Sequence, residues 1–398
     1  MKITEIRAIP IDITPQPETT PRAPKINEGA AFVSPVDRYP EYASDRASWS
    51  PSGRWKRVAC VVTAEDGTWG MGLTVYAGPV ARIINDHLGP ALVGQNCMAT
   101  EKLYDLMNRM TVPYGRTGLA SYAISAVDTA LWDLKGKILE CPVYELLGGP
   151  QKERIFCYAS NTILTYGMKA SLDWFLELGF KAVKVFLTHG PHDGLEGLRK
   201  NEERVARARE IVGDDVELAV DCWMSLNLEY AVRLVEALRP YDCRWIEDAL
   251  LPEDQEGYVK LRRRLPWQTL ATGEHWYTPH PFAKAASQGL LDILQPDVLW
   301  AGGITAGLRI CHLAEAFGLS VITHAGMNYP YGQHLAYAMP VIPWGERSEG
   351  VAPPGVPLEE MVALPGTPPI RDGYLVPSDA PGFGLEITEE WLERAASR

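Results

Sequence analysis

The 398-residue sequence predicts an α/β protein built on a closed parallel barrel, with a smaller α+β unit ahead of it. Three observations carry that reading. Beyond about residue 150, eight short strand-like runs alternate with amphipathic helical stretches, and so many alternations suit a closed barrel better than an open sheet. Ahead of them lie three strand-like runs followed by helical periodicity. Polar residues also recur at the ends of consecutive later runs, one for each strand–loop–helix unit.

Ile3 to Ile13 alternates as a strand. Residues 15–53, rich in Pro, Ser and charge, read as a long loop, and a loop of that length in a compact domain marks a candidate lid. The run "KRVACVVTAEDGTWGMGLTVY" gives two strands around Asp66-Gly67, a strong hairpin signal. Gly67, Gly70 and Gly72 suit this hairpin and do not spell a dinucleotide-binding GxGxxG. Helical periodicity covers Pro79 to Leu92, Thr100 to Arg109 and Leu119 to Ile138. The barrel strands follow as "RIFCYAS", "KAVKVFL", "VELAVD", "CRWIED", "TLATGE", "LDILQPD", "LSVITH" and a weaker run at "MPVIPW". Helices between them include Asn201 to Val212, Glu229 to Leu238 and Ile304 to Ala316. The tail "RDGYLVPSDAPGFGLEI" reads as an extended segment that folds back.

Composition narrows the function classes. A hydrophobic content of 46% is ample for a large core, and a net charge of −12 argues against a nucleic-acid backbone as partner. An anionic small molecule then needs a local cation, either a metal or lysine. Seven cysteines without a CxxC pair form neither a disulfide framework nor a zinc ribbon, which points to a reducing, cytoplasmic compartment. The first residues lack the order of a signal peptide, and the absence of a run of 18 apolar residues predicts no membrane span.

Asp221, Glu247, Glu274, Asp297 and His324 close successive strands at separations of 26, 27, 23 and 27 residues. A solvated loop acid accounts for any one of them, but five in register do not arise that way. Barrel strand ends converge on one mouth, so these residues become neighbours. Asp221, Glu247 and Glu274 would repel one another without a cation, and oxygen-only ligation favours a hard divalent ion, Mg²⁺ before Mn²⁺ or Ca²⁺. Asp297, one strand from His324, can bind one imidazole nitrogen and raise the basicity of the other. Metal and base together suit abstraction of a proton α to a carboxylate. Asp248 follows Glu247 and, by strand alternation, should point the other way.

The motifs "VDCWMS", "WIEDAL", "ATGEHW", "LQPDVLWAGGIT" and "ITHAGMN" together resemble the enolase superfamily, mandelate-racemase subgroup, and within it the acid-sugar dehydratases of the L-rhamnonate dehydratase group. A pairing of a Lys or His base with Mg²⁺ is the known pattern of that superfamily. The resemblance spans nearly the whole chain. It implies an α+β cap over residues 1–130, a modified TIM barrel, (β/α)₇β, over 131–350, and a C-terminal segment 351–398 that returns to complete the cap. By motif, Asp221, Glu247 and Glu274 are similar to the Mg²⁺ ligands, and His324–Asp297 to the catalytic dyad. Glu346 in "IPWGE" matches an acid that binds the substrate carboxylate, and His275 a position that contacts substrate. Lys184 in "AVKVF" matches the first Lys of the Lys-x-Lys of racemases and cycloisomerases, where this chain has Phe186 second. That departure favours one-base dehydration to a 2-keto-3-deoxy acid, the reaction of a hydro-lyase. An epimerase or cycloisomerase on the same scaffold, or a non-catalytic sugar-acid binding protein, are the rivals.

"EGAAFVSP" lacks the His that the rhamnonate-dehydratase group carries shortly before its Ser/Thr-Pro, while "THGPHDG" places His189 and His192 on a loop after the second strand, either reaching the substrate or in a solvated or structural role. His87 and His312 read as helix-surface or core residues. Trp223, Trp276 and Trp300 either wall the pocket or pack barrel against cap. The expected partner is a sugar acid, and the resemblance implies a homo-oligomer, an octamer being one form.

Overall fold

The computed structural model describes residues 1–26, 32–43, 57–161, 166–348 and 351–397, so residues 27–31 and 44–53 of the expected lid lie outside the described residues. Its N-terminal part is a three-stranded antiparallel sheet in the order β1 (Ile3–Ile11), β2 (Arg57–Ala64), β3 (Trp69–Val75). The β2–β3 hairpin turns at Gly67, whose φ of +87° is cheap only for glycine. Gly70 and Gly72 have a different task from the hairpin role expected of them. A Cβ at Gly72 would lie 1.9 Å from Ala126 O, and one at Gly70 2.3 Å from Ala130 O. The helix Leu119–Ile138 crosses β3 at backbone contact, which is why that strand reads Gly-Met-Gly and the helix is rich in alanine.

The eight runs expected to form the barrel are parallel strands: β4 (Ile155–Asn161), β5 (Ala182–Phe186), β6 (Glu217–Asp221), β7 (Cys243–Glu247), β8 (Leu270–Thr272), β9 (Ile293–Leu294), β10 (Ser320–Val321) and β11 (Trp344–Arg347). Strands β4 to β10 pair in chain order, and β11 pairs with β4. Val321 N–H donates to Val341 O (2.8 Å) and Met327 N–H to Glu346 O (2.8 Å), which bridges the seam between β10 and β11. The last strand starts at Trp344, later than the expected "MPVIPW". Pro340 and Pro343 lack the N–H a ladder needs, so pairing begins only past the second of them.

Side-chain alternation divides each barrel strand. Outward residues such as Val183, Leu218, Ile246 and Leu294 join the core under the helices. Inward, Tyr158, Ala182, Ala219, Trp245, Ala271, Ile293 and Ile322 form a closed apolar layer, with small residues opposite large ones. Two positions further along the chain come Ser160, Lys184, Asp221, Glu247, Gln295 and His324, and on the last strand Glu346 stands two past Trp344. A period of two therefore sets a polar floor directly above an apolar plug.

The tail returns to both parts of the molecule. Strand β12 (Tyr374–Leu375) pairs antiparallel with β4, Phe383 N–H donates to Asp133 Oδ1 (2.9 Å) on the long helix, and Asp12 N–H on the N-terminal segment donates to Ala395 O (2.8 Å). Asp133 is fully buried and also accepts from Met71 N–H (2.9 Å) and pairs with Lys137 (2.8 Å), so one carboxylate joins β3, helix and tail. All seven cysteines are free thiols. No helix among the described residues is long and apolar enough to cross a membrane.

Candidate active site

Asp221 and Glu247 are the last residues of β6 and β7, whereas Glu274, Asp297 and His324, expected to close their strands, lie two or three residues past the ends of β8, β9 and β10. Lys184 lies at the centre, 1% exposed in its side chain, with Nζ 3.0 Å from Asp221 Oδ2, 2.8 Å from Glu346 Oε1 and in closer contact with Glu247 Oε1. Burial alone would discharge this amine, but Asp221, Glu247 and Glu346 together raise its pKa well above the ordinary lysine value. Glu346 is held below the usual carboxylate range: burial opposes this, and the Lys184 ammonium outweighs burial. It also accepts Ala325 N–H at Oε2 (2.7 Å).

Glu247 and Asp221 behave differently. Burial, with neighbouring carboxylates adding to it, pushes Glu247 up to about 8 and Asp221 up to about 6 despite Lys184. Glu247 Oε2 accepts from Trp245 Nε1 (2.9 Å) and Gln295 Nε2 (2.7 Å), and Asp221 Oδ1 accepts from Trp223 N–H (2.9 Å). Glu274 lies between two imidazoles, with Oε1 3.4 Å from His275 Nε2 and Oε2 3.3 Å from His324 Nε2. Asp248, expected to face away, is buried with a φ of +46°, and Thr272 Oγ1 donates to its Oδ1 (2.5 Å). Burial and then Glu274 raise its pKa.

His324 Nδ1 is 2.7 Å from Asp297 Oδ2, so a proton shared there leaves Nε2 as the basic atom. Burial works against the imidazolium, but Glu274 and the Asp297 hydrogen bond overcome it and raise the pKa of His324 well above its ordinary value. Trp300 stands between the two imidazoles, stacked on His275 (5.4 Å, 15°) and tilted against His324 (4.8 Å, 45°). Burial lowers the pKa of His275, and its Nδ1 has no partner among the described residues. Across the mouth, Phe186 is 5.7 Å from Lys184 Nζ, and Phe32 covers it (5.1 Å) and meets Trp223 edge-on (4.7 Å). A cavity between cap and barrel reaches His324 and Asp297 and is lined also by Arg57, Thr74, Trp300 and Tyr329.

Other histidines take other places. His334 is fully buried against Tyr144 and Phe383, with Nδ1 accepting Tyr144 N–H (3.2 Å), and burial lowers its pKa to about 3. His189 bonds Thr188 (3.0 Å), on a loop pinned by Asn201, and His192 pairs with Asp193 (3.3 Å). Trp276 packs on Tyr258 and Phe282 and donates to Pro252 O (2.9 Å), a role between elements rather than in the pocket wall. The sequence reading passed over Trp245, Gln295 and Arg57. The signal that marks the first two is their spacing, two residues before Glu247 and Asp297, since a period of two sets strand residues on one face.

A barrel mouth that sets a buried imidazole–carboxylate pair against a cluster of buried acids, under an antiparallel cap, is the architecture of an enzyme that removes a proton next to a carboxylate. Residues 168–391 match the enolase C-terminal domain-like family and residues 49–148 the mandelate racemase/muconate lactonizing enzyme N-terminal domain. The chain belongs to the mandelate racemase/muconate lactonizing enzyme family of the enolase superfamily. It is 41% identical over 361 residues to L-rhamnonate dehydratase of Saccharopolyspora erythraea, covering 90% of each chain. Among solved structures, rhamnonate dehydratase of Gibberella zeae complexed with Mg superposes with a TM-score of 0.86 at 33% identity, covering 99% of this chain and 95% of that one. A racemase from Streptomyces coelicolor with bound magnesium gives 0.78 at 26%, covering 99% of both.

The residues fit such an ion by their chemistry. Asp221, Glu247 and Glu274 offer only hard oxygen donors and are buried. Among the described residues Lys184 is the cation paired with Asp221, Glu247 and Glu346, and His324 and His275 lie against Glu274, so the acids of the mouth outnumber the fixed charge set directly against them. Lys184 answers Asp221 and Glu247 directly, and among the described residues no three acidic, imidazole or thiol groups stand ready around one point.

Proposed function

We propose that this enzyme is a Mg²⁺-dependent hydro-lyase that dehydrates an L-rhamnonate-like aldonate to a 2-keto-3-deoxy acid. The observation that carries the reading is the one-sidedness of the mouth: a complete His324–Asp297 dyad faces the carboxylates, while the opposite wall is Phe186 under Phe32. A racemase or epimerase needs a second base there, and a phenyl ring cannot take a proton. A binding protein needs no oriented basic imidazole.

We assign Asp221, Glu247 and Glu274 to the ion, which when bound supplies positive charge against the substrate carboxylate. His324 Nε2 takes the C2 proton while Asp297 holds Nδ1. The C2 carbanion is relieved as the C3–O bond breaks, and the leaving hydroxide takes a proton. His324, which has just gained one, is the better donor, because burial lowers the pKa of His275 and disfavours its imidazolium. That favours a syn elimination, and the enol product then tautomerises. Lys184 contributes its fixed charge as negative charge builds on the substrate carboxylate, Glu346 holds Lys184 and the Ala325 N–H, and His275 lines the wall with Trp300. We also propose a cytoplasmic homo-oligomer, with cap, barrel and returning segment at 1–130, 131–350 and 351–398. The unpaired thiols support the compartment.

An aldonic-acid library incubated with protein and Mg²⁺ and assayed for 2-keto acids is expected to yield product from L-rhamnonate or a close stereochemical relative. Recovery of C2-inverted, deuterated substrate from D₂O, with no keto acid formed, would replace this reading with an epimerase.

The dyad sets the pH response. His324 acts as a base only when neutral, so kcat/KM should rise with pH through its raised pKa. Asp297→Asn removes a charge that favours the imidazolium, so this limb should move to lower pH while kcat falls on the order of 10²-fold or more. A limb that stays in place would show that Asp297 does not set the basicity of His324.

A further inference from the structure

Glu247 presents its two oxygens to different surroundings. Oε1 faces Lys184 at the mouth, whereas Oε2 points into the barrel and accepts two hydrogen bonds, from Trp245 Nε1 (2.9 Å) and Gln295 Nε2 (2.7 Å). Both donors are 1% exposed. The indole cannot swing away, because Tyr158 (5.2 Å) and Trp344 (5.6 Å) wedge it in the apolar layer below. The Gln295 amide has one workable orientation, since the reverse would set its carbonyl oxygen against a carboxylate oxygen. In the orientation it takes, Oε1 of Gln295 is buried with no hydrogen-bond partner among the described residues. A buried acceptor left unmatched is costly, and here it accompanies an NH₂ held on Glu247. Asp221 repeats the pattern, with Oδ1 occupied by Trp223 N–H (2.9 Å) and Oδ2 left toward Lys184 (3.0 Å).

We propose that Trp245 and Gln295 are positioning residues that restrict Glu247 to a single outward oxygen, and thereby make the site favour a small octahedral ion over Ca²⁺. This rests on the assignment of Asp221, Glu247 and Glu274 as ion ligands. Mg²⁺ is satisfied by single oxygens in a rigid octahedron, whereas Ca²⁺ takes six to eight oxygens and gains from carboxylates that turn both toward it. Two N–H donors on Oε2 prevent that turn. The clamp is built from inward positions, two residues before Glu247 and two before Asp297, and both of its donors bond Glu247 itself.

The test measures binding of Mg²⁺ alone and Ca²⁺ alone to the full chain by calorimetry, each checked by displacement of Mn²⁺ followed by electron paramagnetic resonance. Gln295→Leu removes the donor at similar volume, and Trp245→Phe removes the indole N–H while keeping an aromatic ring in the layer. Each should weaken Mg²⁺ about tenfold to a hundredfold, the range expected for partners of metal ligands, and weaken Ca²⁺ much less, so the Mg²⁺/Ca²⁺ preference narrows. A merely structural defect weakens both ions equally, and that result in both variants overturns the clamp. Glu247→Gln separates the ligand from its clamp. If it loses Mg²⁺ while the two clamp variants keep the normal ion ratio, the ligand assignment stands and the clamp falls. If it binds Mg²⁺ normally, the ligand assignment itself falls. Should one clamp variant fail to fold, the other carries the measurement.

Discussion

His324→Asn is expected to remove dehydration, with a loss of about 10²- to 10⁴-fold or more in kcat, while Mg²⁺ affinity changes little. Asparagine keeps a polar group near Asp297 but offers no basic nitrogen, and the carboxylates assigned to the ion are untouched. His324 Nε2 is nonetheless 3.3 Å from Glu274 Oε2, so the variant also removes a nearby positive charge when the imidazole is protonated. Mg²⁺ binding should therefore hold or tighten slightly at low pH. The diagnostic readout is exchange of the substrate C2 hydrogen with D₂O, followed by NMR. Proton removal precedes loss of the hydroxyl, so exchange should vanish together with turnover. An Asn variant that still exchanges C2 but does not dehydrate would move His324 from base to acid and return the base role to another residue. Normal dehydration would remove the dyad from the mechanism.

Much of this site is legible in the sequence because barrels convert spacing into proximity. Asp221 and Glu247 end their strands, Glu274, Asp297 and His324 follow theirs by two or three residues, and the eight-strand alternation places all five at one mouth. The same logic explains what the sequence hid. Gln295 and Trp245 sit on inward faces, where their neighbours look like ordinary apolar plug residues, and only pairing period two with barrel curvature separates plug from floor. Asp248 shows the reverse limit. Alternation aims it outward, but the strand stops at Glu247 and a φ of +46° turns its carboxyl back onto Thr272. Gly70 and Gly72 suit a hairpin by sequence, and the approach of Ala126 and Ala130 that requires them comes from a helix some 55 residues later. The role of Lys184 as the hub of three acids depends on long-range contacts that no local pattern reports. Arg57 lines the cavity only because the cap sheet docks over the barrel, a relation between two units rather than a property of either.

Lys184→Met should couple fold, pH and ion more strongly than any other change at the mouth. Lys184 answers Asp221, Glu247 and Glu346 with one ammonium, all within a fully buried cluster. Methionine fills the space and leaves three buried acids without their cation, and breaking such a pairing costs about 3–5 kcal/mol. The cost depends on pH. Asp221 already stands at about 6 and Glu247 at about 8 with Lys184 in place, and both rise further without it. Carboxyls whose folded pKa exceeds the unfolded value favour folding while protonated, and that contribution is lost as pH climbs through the folded pKa. In chelator, the Met variant should therefore melt close to the wild type near pH 5 and progressively below it from pH 6 to 8. Mg²⁺ reverses the trend: a divalent charge relieves the same acids, and a ligand at a hundred times its Kd adds about 2.7 kcal/mol to stability. The rise in Tm on adding Mg²⁺ at pH 8 should be larger in the variant than in the wild type, and Mg²⁺ affinity should tighten because a competing cation is gone. Turnover moves the other way and should fall about 10²-fold or more even when saturated with Mg²⁺, because the fixed ammonium no longer stabilises negative charge developing on the substrate. Equal melting of variant and wild type in chelator across pH 5 to 8 would show that Lys184 is not the cation holding these acids together.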